Sequence, residues 1–296
     1  MTLTIDARFQ PQVLRDEPLS RHTSWHVGGP ADVFFMPRDR EELIAFLRAL
    51  PDDVPLLWLG LGSNLLVRDG GVRGVVIKTQ DALGRLERRG ELGVYAEAGV
   101  PCAKLARQCA RWQLGPAAFF AGIPGTLGGA LAMNAGAFGG ETWPLVREVE
   151  TVSRDGTVRT RAATGYRTGY RSVTAPADGE WFLAATLELE ASPDETGIRE
   201  LLERRRQTQP IGEWSCGSTF TNPAGDHAAR LIEAAGLKGH RIGDIMVSPK
   251  HANFLVNAGA ATAADVRELV AHIQETVRQR FNVALTPEFH TVGEEN

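Results

Sequence analysis

An α+β fold in two parts is predicted, on three observations. Alternating and helical apolar patterns both occur, and they do not follow one another as strict βαβ units, which argues against one parallel sheet. The chain has 296 residues, 43% of them hydrophobic, enough for two cores. Its texture changes after a helix ending in Arg204-Arg205-Arg206 and after Pro210, which puts a boundary near 192–210. The expected division is a first domain over 1–192, with sub-lobes of about 1–78 and 79–192, and a second α+β domain over 193–296.

The elements follow from local signals. Asp39, with Glu42 three residues on, resembles a capping box, and Leu43, Ile44, Phe46, Leu47 and Leu50 follow at helical spacing. Residues 55–67, PLLWLGLGSNLLV, read as a strand, a glycine turn and a second apolar run. Residues 72–78 and 92–98 read as strands. Pro101 opens a helix carrying Leu105, Cys109 and Trp112, and Gly115 closes it. A hairpin is expected over 152–160 around Asp155-Gly156, and a strand over 182–189. A helix runs from about Glu195 to Gln207. Asp226 caps a further helix, which Gly236 closes after Ala235, and 251–256 reads as a strand. Thr262 with Asp265 caps a long helix with Val266, Leu269, Val270, Ile273 and Val277 on one face.

Bulk composition excludes several classes. A net charge of -4 argues against a nucleic-acid or anionic-membrane surface as the main partner. Three scattered cysteines, Cys102, Cys109 and Cys216, make no disulfide framework, and the lack of a CxxC argues against zinc or redox chemistry; no metal site is expected. The start, MTLTIDARFQ, does not read as a signal peptide. Pro124 and the glycines around it break what would otherwise be a long neutral run, so no membrane span is expected and the reading is cytoplasmic.

That run is the most distinctive feature. Ala121 to Gly140 reads AGIPGTLGGALAMNAGAFGG, and no Asp, Glu, Lys, Arg or His occurs from Trp112 to Gly140. A second glycine turn, Gly60-Leu-Gly62-Ser63-Asn64, follows a strand. Neither continues as GKS or GKT, and the first lacks the third glycine of a dinucleotide fingerprint. Either loop alone is equally well a tight turn with small core residues. Together they suggest a large cofactor held mainly by backbone N–H groups, with a diphosphate in an anion nest and an apolar ring; a flavin dinucleotide fits.

Several runs then resemble one family in order along nearly the whole chain: Arg21-His-Thr-Ser-Trp25-His-Val-Gly-Gly-Pro30-Ala; GxGSNLLVxDxG from Gly60; IPGTLGGALAMNAGAFGGE over 123–141; Gly217-Ser-Thr-Phe-Thr-Asn222-Pro; Ala235-Gly-Leu-Lys238-Gly; Lys250-His-Ala-Asn-Phe254; and Pro287-Glu-Phe. The set resembles the UDP-N-acetylenolpyruvoylglucosamine reductases, also called UDP-N-acetylmuramate dehydrogenases, and the short spacing from Gly165 to Ser218 is similar to the short-loop subclass. The resemblance implies a two-part FAD-binding domain of the flavin-oxidase (PCMH-type) group, a C-terminal substrate domain, noncovalent FAD and NADPH as hydride donor. It implies reduction of the enolpyruvyl group of a UDP-sugar, UDP-N-acetylglucosamine enolpyruvate, to UDP-N-acetylmuramate in peptidoglycan precursor synthesis. The wider group includes oxidases that tether FAD through His or Cys, and no His lies in either glycine loop.

Carried over by position, the resemblance assigns Gly60, Gly62, Ser63, Asn64, Gly122, Pro124, Gly128, Gly129, Ala130, Asn134 and Gly136 to the cofactor. Ser218 matches the proton donor, Glu288 the acid that stabilises the enol, and Arg167 the cation for the substrate carboxylate. Asn222, Lys238 and His251 match substrate-contacting positions, with Lys238 suited to the UDP diphosphate. The chain departs from the family pattern at Gly169, where serine is usual, and at His290, where arginine is frequent. Gly165-Tyr-Arg167 is repeated as Gly169-Tyr-Arg171, so Arg171 is the alternative for the catalytic arginine.

Overall fold

The computed structural model describes residues 3–192 and 196–295, and the chain divides into two compact units. The first comprises 1–14, 33–61 and 74–204; the second comprises 15–32, 62–73 and 205–296.

The first unit has two apolar cores. Around one, α1 (Arg40–Ala49) buries Leu43, Phe46 and Leu47 with Phe9, Phe35 and Ile77. Asp39 caps α1, its carboxylate accepting from the Glu42 N–H at 2.8 Å. Glu42 reaches one residue further back than a capping box requires: it accepts from the Arg38 N–H at 2.7 Å and pairs with the Arg38 guanidinium. Strand Leu56–Leu59 runs parallel to Val72–Lys78, with Leu56 opposite Val75.

Beside the second core lies a five-stranded antiparallel sheet, in the order Val158–Ala162, Val146–Ser153, Glu180–Glu188, Gly93–Glu97, Leu86–Arg89. The expected hairpin joins its first two strands. Gly156 has φ +72, and hydrogen bonds from Ser153 and Thr157 hold the Asp155 carboxyl down at about 2. Helix α2 (Cys102–Arg111) buries Cys102, Leu105, Ala106 and Cys109, with Pro101 as its N-cap rather than its first residue. Its end differs from expectation: Gln113, at φ +57, makes the left-handed turn, and Gly115 goes on to pair with Glu190. A short α3 (Leu127–Met133) lies within the glycine-rich run. Helix α4 (Thr196–Thr208) agrees with expectation where it is described; Glu195 lies outside the described residues.

In the second unit, α5 (Ala228–Ala234) and α6 (Ala263–Phe281) pack Leu231 and Ile232 with Val266, Leu269, Ile273 and Val277. The α6 capping box is complete: Thr262 Oγ1 accepts from the Asp265 N–H at 3.1 Å, and the Asp265 carboxylate accepts from the Thr262 N–H at 2.8 Å. Asp69 adds to the same helix start, accepting from the Ala263 and Ala264 N–H groups at 2.9 and 3.0 Å. Strand Leu65–Val67 runs parallel to His290–Val292. Trp25 is fully buried, donates its indole N–H to the Leu255 carbonyl at 2.9 Å and stands edge-on to Phe289. These bonds are why 15–32 and 62–73 group with the C-terminal residues instead of following a single cut after residue 192.

Two local expectations need correction here. The strand expected over 251–256 is only Leu255–Asn257, because residues 251–254 form a turn closed by the Phe254 N–H to the His251 carbonyl at 3.0 Å. Helix α5 is not capped by Asp226, whose carboxylate pairs with Arg230; the Asn222 Oδ1 accepts from the Ala228 N–H at 3.1 Å instead.

Candidate functional site

Within the first unit, a cleft of about 200 Å³ opens between the end of strand Leu56–Leu59, the start of α3 and strand Glu180–Glu188. Its glycines have separate causes. A Cβ on Gly60 would meet Thr126 Oγ1 at 2.5 Å, and one on Gly128 would meet Ala98 Cβ at 3.0 Å, so both let neighbouring elements close up. Gly129 differs: a Cβ there would meet only Thr126 Oγ1, at 4.0 Å, so its bare backbone leaves open space.

Two buried polar atoms of residues lining this cleft, Thr126 Oγ1 and Trp58 Nε1, have no hydrogen-bond partner among the described residues. Such orphans cost about 1–3 kcal/mol each, a deficit that acceptors on a ligand would remove. On another wall, Trp58 and Trp181 stack at 5.3 Å. Glu180 beside them is held ionised, chiefly by its hydrogen bond from Arg161, so its charge is compensated. Small residues, aromatic faces and unpaired donors fit part of a flavin dinucleotide. Pockets for whole ligands are roughly 300–1,000 Å³, so this cleft takes a portion of the molecule.

The other residues of the long loop also have packing or hydrogen-bond partners within the protein. Gly122 and Gly136 are glycine because a Cβ would strike the Phe138 ring at 2.5 Å and the Gly140 carbonyl at 2.3 Å. Ala130 is buried in the core, and Pro124 is exposed. Asn134 ends α3 at φ +46 with its side chain fully engaged. Nδ2 donates to Glu141 Oε2 at 3.0 Å and to the Gly169 carbonyl at 3.1 Å, and Oδ1 accepts from the Trp143 N–H at 3.1 Å.

The second unit brings the other glycine turn to the C-terminal strand. Gly62, at φ +62, has room for no Cβ, which would lie 2.1 Å from the His22 carbonyl. Beyond Ser63, Asn64 donates its Nδ2 to the Glu288 carbonyl at 3.2 Å, and the His290 N–H bonds the Asn64 carbonyl at 3.0 Å. The Ser218 segment adjoins the same strand: the Glu288 N–H donates to the Thr219 carbonyl at 2.8 Å, and Phe220 bridges to Pro287. Ser218 and Glu288 are therefore carried on adjoining segments, and both are half-buried.

Asn253, itself buried, fixes the Ser218 segment from a third side, accepting from the Phe220 N–H at 3.0 Å and donating to the Phe220 carbonyl at 2.8 Å. Burial, then the Glu288 charge, pushes the Cys216 thiol far up, so it stays protonated and is no nucleophile. Burial likewise pushes Cys102 and Cys109 up to about 12.

Lys238 and His251 are also brought together. Burial, and then the Lys238 charge, lowers the His251 pKa. The Asn253 N–H donates to His251 Nδ1 at 3.3 Å, so the neutral ring carries its proton on Nε2. Lys238 also pairs with Glu233 at 2.7 Å. Asn222 is exposed, with its Oδ1 on the start of α5.

The two arginines of the repeated motif differ in their surroundings. Arg167 is exposed on strand Arg167–Gly169, with no side-chain bond among the described residues. Arg171 points its guanidinium at the glycine loop and donates to the Gly136 carbonyl at 2.8 Å and the Asn134 carbonyl at 3.5 Å.

Sequence reasoning passed over Thr126, Trp58 and Asn253. Thr126 is the sole hydroxyl between Ala121 and Gly140, and Asn253 the sole polar residue between Ala252 and Val256; each was a usable signal. Among the described residues, no group of three or more His, Cys, Asp or Glu could hold a metal ion, and no helix is long and apolar enough to cross a membrane.

Known proteins match both halves of the chain. Residues 31–161 match the profile of a family described as FAD binding domain, and residues 209–292 match that of the UDP-N-acetylenolpyruvoylglucosamine reductase C-terminal domain. The UDP-N-acetylenolpyruvoylglucosamine reductase of Alkalilimnicola ehrlichii is 57% identical over 296 residues, covering 99% of each chain. That of Methylococcus capsulatus is 57% identical over 284 residues, covering 95% of this chain and 93% of its own. A crystal structure of the UDP-N-acetylenolpyruvylglucosamine reductase from Thermus caldophilus superposes with a TM-score of 0.79 at 33% identity, covering 98% of this chain and 99% of that one.

Proposed function

The chain belongs to the UDP-N-acetylenolpyruvoylglucosamine reductase family, and from that premise we propose how its residues share the work. It is an FAD-dependent oxidoreductase that reduces the enolpyruvyl group of UDP-N-acetylglucosamine enolpyruvate in peptidoglycan precursor synthesis. NADPH is the source of reducing equivalents, residues 1–192 hold FAD without a covalent bond, and 193–296 receive the UDP-sugar. Gly60, Gly128, Gly129, Thr126 and Trp58 hold part of the cofactor, and Gly62, Ser63 and Asn64 present backbone to it. Bound FAD supplies the hydride that reaches the substrate methylene carbon.

The remaining chemistry falls to side chains. Hydride addition to the methylene carbon turns it into a methyl group and leaves negative charge on the neighbouring carbon and the carboxylate. Arg167, exposed and with no side-chain bond among the described residues, meets the substrate carboxylate. Glu288 stabilises the developing enol, and the Ser218 hydroxyl gives its proton to the neighbouring carbon. Lys238 meets the UDP diphosphate, flanked by neutral His251 and by Asn222. The observation that carries this reading is the backbone pairing of the Ser218 and Glu288 segments, Glu288 N–H to Thr219 carbonyl at 2.8 Å.

Ser218→Ala tests it by stopped-flow flavin absorbance. Bleaching by NADPH should keep the parental rate, and recovery on adding the enolpyruvyl sugar should fall by roughly 10²–10⁴-fold. Loss in the NADPH step alone, or in neither step, removes Ser218 from the role of proton donor.

A further inference from the structure

Arg171 takes no part in the steps above, yet its backbone is strained and its side chain is committed. Its φ is +52, where a residue with a Cβ sits at a cost of roughly 1–2 kcal/mol. Asn134, to which it bonds, has φ +46. The bonds between the Arg171 hairpin and the glycine loop run both ways. The Arg171 guanidinium donates to the Gly136 and Asn134 carbonyls at 2.8 and 3.5 Å, and the Asn134 amide donates back to the Gly169 carbonyl at 3.1 Å. Glu141, on the same amide at 3.0 Å, places a carboxylate at the far end of this chain of bonds.

The tie adds to what holds this hairpin. Among the described residues, strands Arg167–Gly169 and Ser172–Thr174 pair with each other and with no third strand; a two-stranded hairpin is marginally stable on its own, and Val173 packs this one's second strand against the apolar core. All three residues of Arg167–Gly169 are exposed, so that strand buries no apolar face. The base of the hairpin is anchored by Tyr166, which is buried against Trp143 at 4.5 Å and Phe182 at 5.9 Å. The tip has Arg171. Arg167 sits between these two anchors.

We propose that Arg171 is a positioning residue, clamping the hairpin tip to the glycine loop so that Arg167 is held ready for the substrate carboxylate. The role rests on the reading of Arg167 given above. A planar guanidinium can reach two carbonyls at once, which the point charge of a lysine does less well.

The test uses the FAD-loaded enzyme carrying Arg171→Gly or Arg171→Lys. Glycine removes the clamp and suits the positive φ, so the turn itself is not strained. Three measurements apply: amide hydrogen exchange over 167–174, the two half-reactions by stopped flow, and both variants in an Arg167→Ala background. In Arg171→Gly, exchange over 167–174 should quicken by about tenfold or more. The NADPH half-reaction should be unchanged and the enolpyruvyl half-reaction should fall by about 10²-fold, the usual consequence of a displacement near 1 Å. Arg171→Lys should lie between parent and Arg171→Gly. With Arg167 already replaced, Arg171→Gly should cost nothing further. Unchanged exchange at the hairpin, equal loss in both half-reactions, or effects that multiply in the double variant would each overturn the proposal. Full turnover in Arg167→Ala overturns the catalytic reading and the purpose of the clamp together; the exchange measurement tells that failure from failure of the clamp itself.

Discussion

Replacing Asn134 with aspartate changes one NH₂ group into an oxygen, and the structure says where that oxygen falls. Asn134 is 2% exposed. Its Nδ2 stands 3.0 Å from Glu141 Oε2 and 3.1 Å from the Gly169 carbonyl, while Oδ1 accepts from the Trp143 N–H. Aspartate keeps the bond from Trp143 and loses both donations. Two full charges about 3 Å apart repel by roughly 5 kcal/mol at an effective dielectric near 20, while the carbonyl of exposed Gly169 can turn to water. Proton capture caps this cost, because a protonated carboxyl can again donate across the gap.

The new carboxyl is therefore pushed above its unfolded value of about 3.9. A group whose folded pKa is raised gives stability that is fully present below the unfolded value and is lost as pH rises through the folded value. Urea unfolding followed by tryptophan fluorescence should show a deficit of about 3–5 kcal/mol at pH 8, shrinking toward about 1 kcal/mol near pH 5. Flavin affinity should follow stability, since this side chain faces Glu141 and Gly169. A deficit that is the same at both pH values, or smaller than about 0.5 kcal/mol at pH 8, would refute the placement.

Gly129→Ala should raise the stability of the flavin-free protein by about 0.5–1 kcal/mol, because alanine suits a helix interior, and yet weaken FAD binding by filling open cleft; unchanged affinity in a fluorescence titration would remove Gly129 from the cofactor site. Lys238→Ala should raise KM for the UDP-sugar more than for NADPH, and an NMR titration should show the His251 pKa moving up but staying below its ordinary value, since burial is the first cause of its lowering. Because the folded state favours neutral His251, the associated stability is held above about pH 6.5 and lost as pH falls through the lowered value, a loss to be sought in unfolding curves. All three thiols should resist Ellman's reagent in the native protein and react after denaturation, as their burial requires; a fast native thiol would contradict it.

The sequence made short-range structure legible. Asp39 and Thr262 announce their helices because a cap is satisfied by N–H groups two or three residues away. Longer reaches were hidden. Asn222 resembles a substrate ligand in sequence, yet its side chain stands on the Ala228 N–H six positions on, a task assigned to nearer Asp226. Asp69 holds the start of α6 from the other end of the chain, and this is why the second unit collects two N-terminal segments that composition alone assigns to the first domain. The repeated Gly-Tyr-Arg made Arg167 the choice by family pattern and left Arg171 as the alternative. The fold separates them further, aiming Arg171 at the Gly136 carbonyl, while Arg167 has no side-chain bond among the described residues.

Glycine density gives a similarly mixed signal. In the run from Ala121 to Gly140 it reads as a surface shaped for a ligand, and for part of the run this holds. Gly128 brings α3 against Ala98, and Gly129 leaves space in the cleft. Gly122 and Gly136 lack side chains for the sake of Phe138 and Gly140, so the same residue type satisfies the protein's own packing a few positions later. The absence of charge divides in the same way. Near the cleft, Thr126 Oγ1 and Trp58 Nε1 have no hydrogen-bond partner among the described residues, and Glu180, which also lines it, is paired with Arg161. At the far end, charge returns from neighbours: Glu141 ends the run and accepts from Asn134, and Arg171 arrives from another hairpin to cover two carbonyls. A ligand-facing stretch and a clamped stretch thus lie side by side in one neutral segment. A substitution at Gly129 in the first should weaken flavin binding without loss of stability, and a substitution in the second should change stability and the hairpin that carries Arg167.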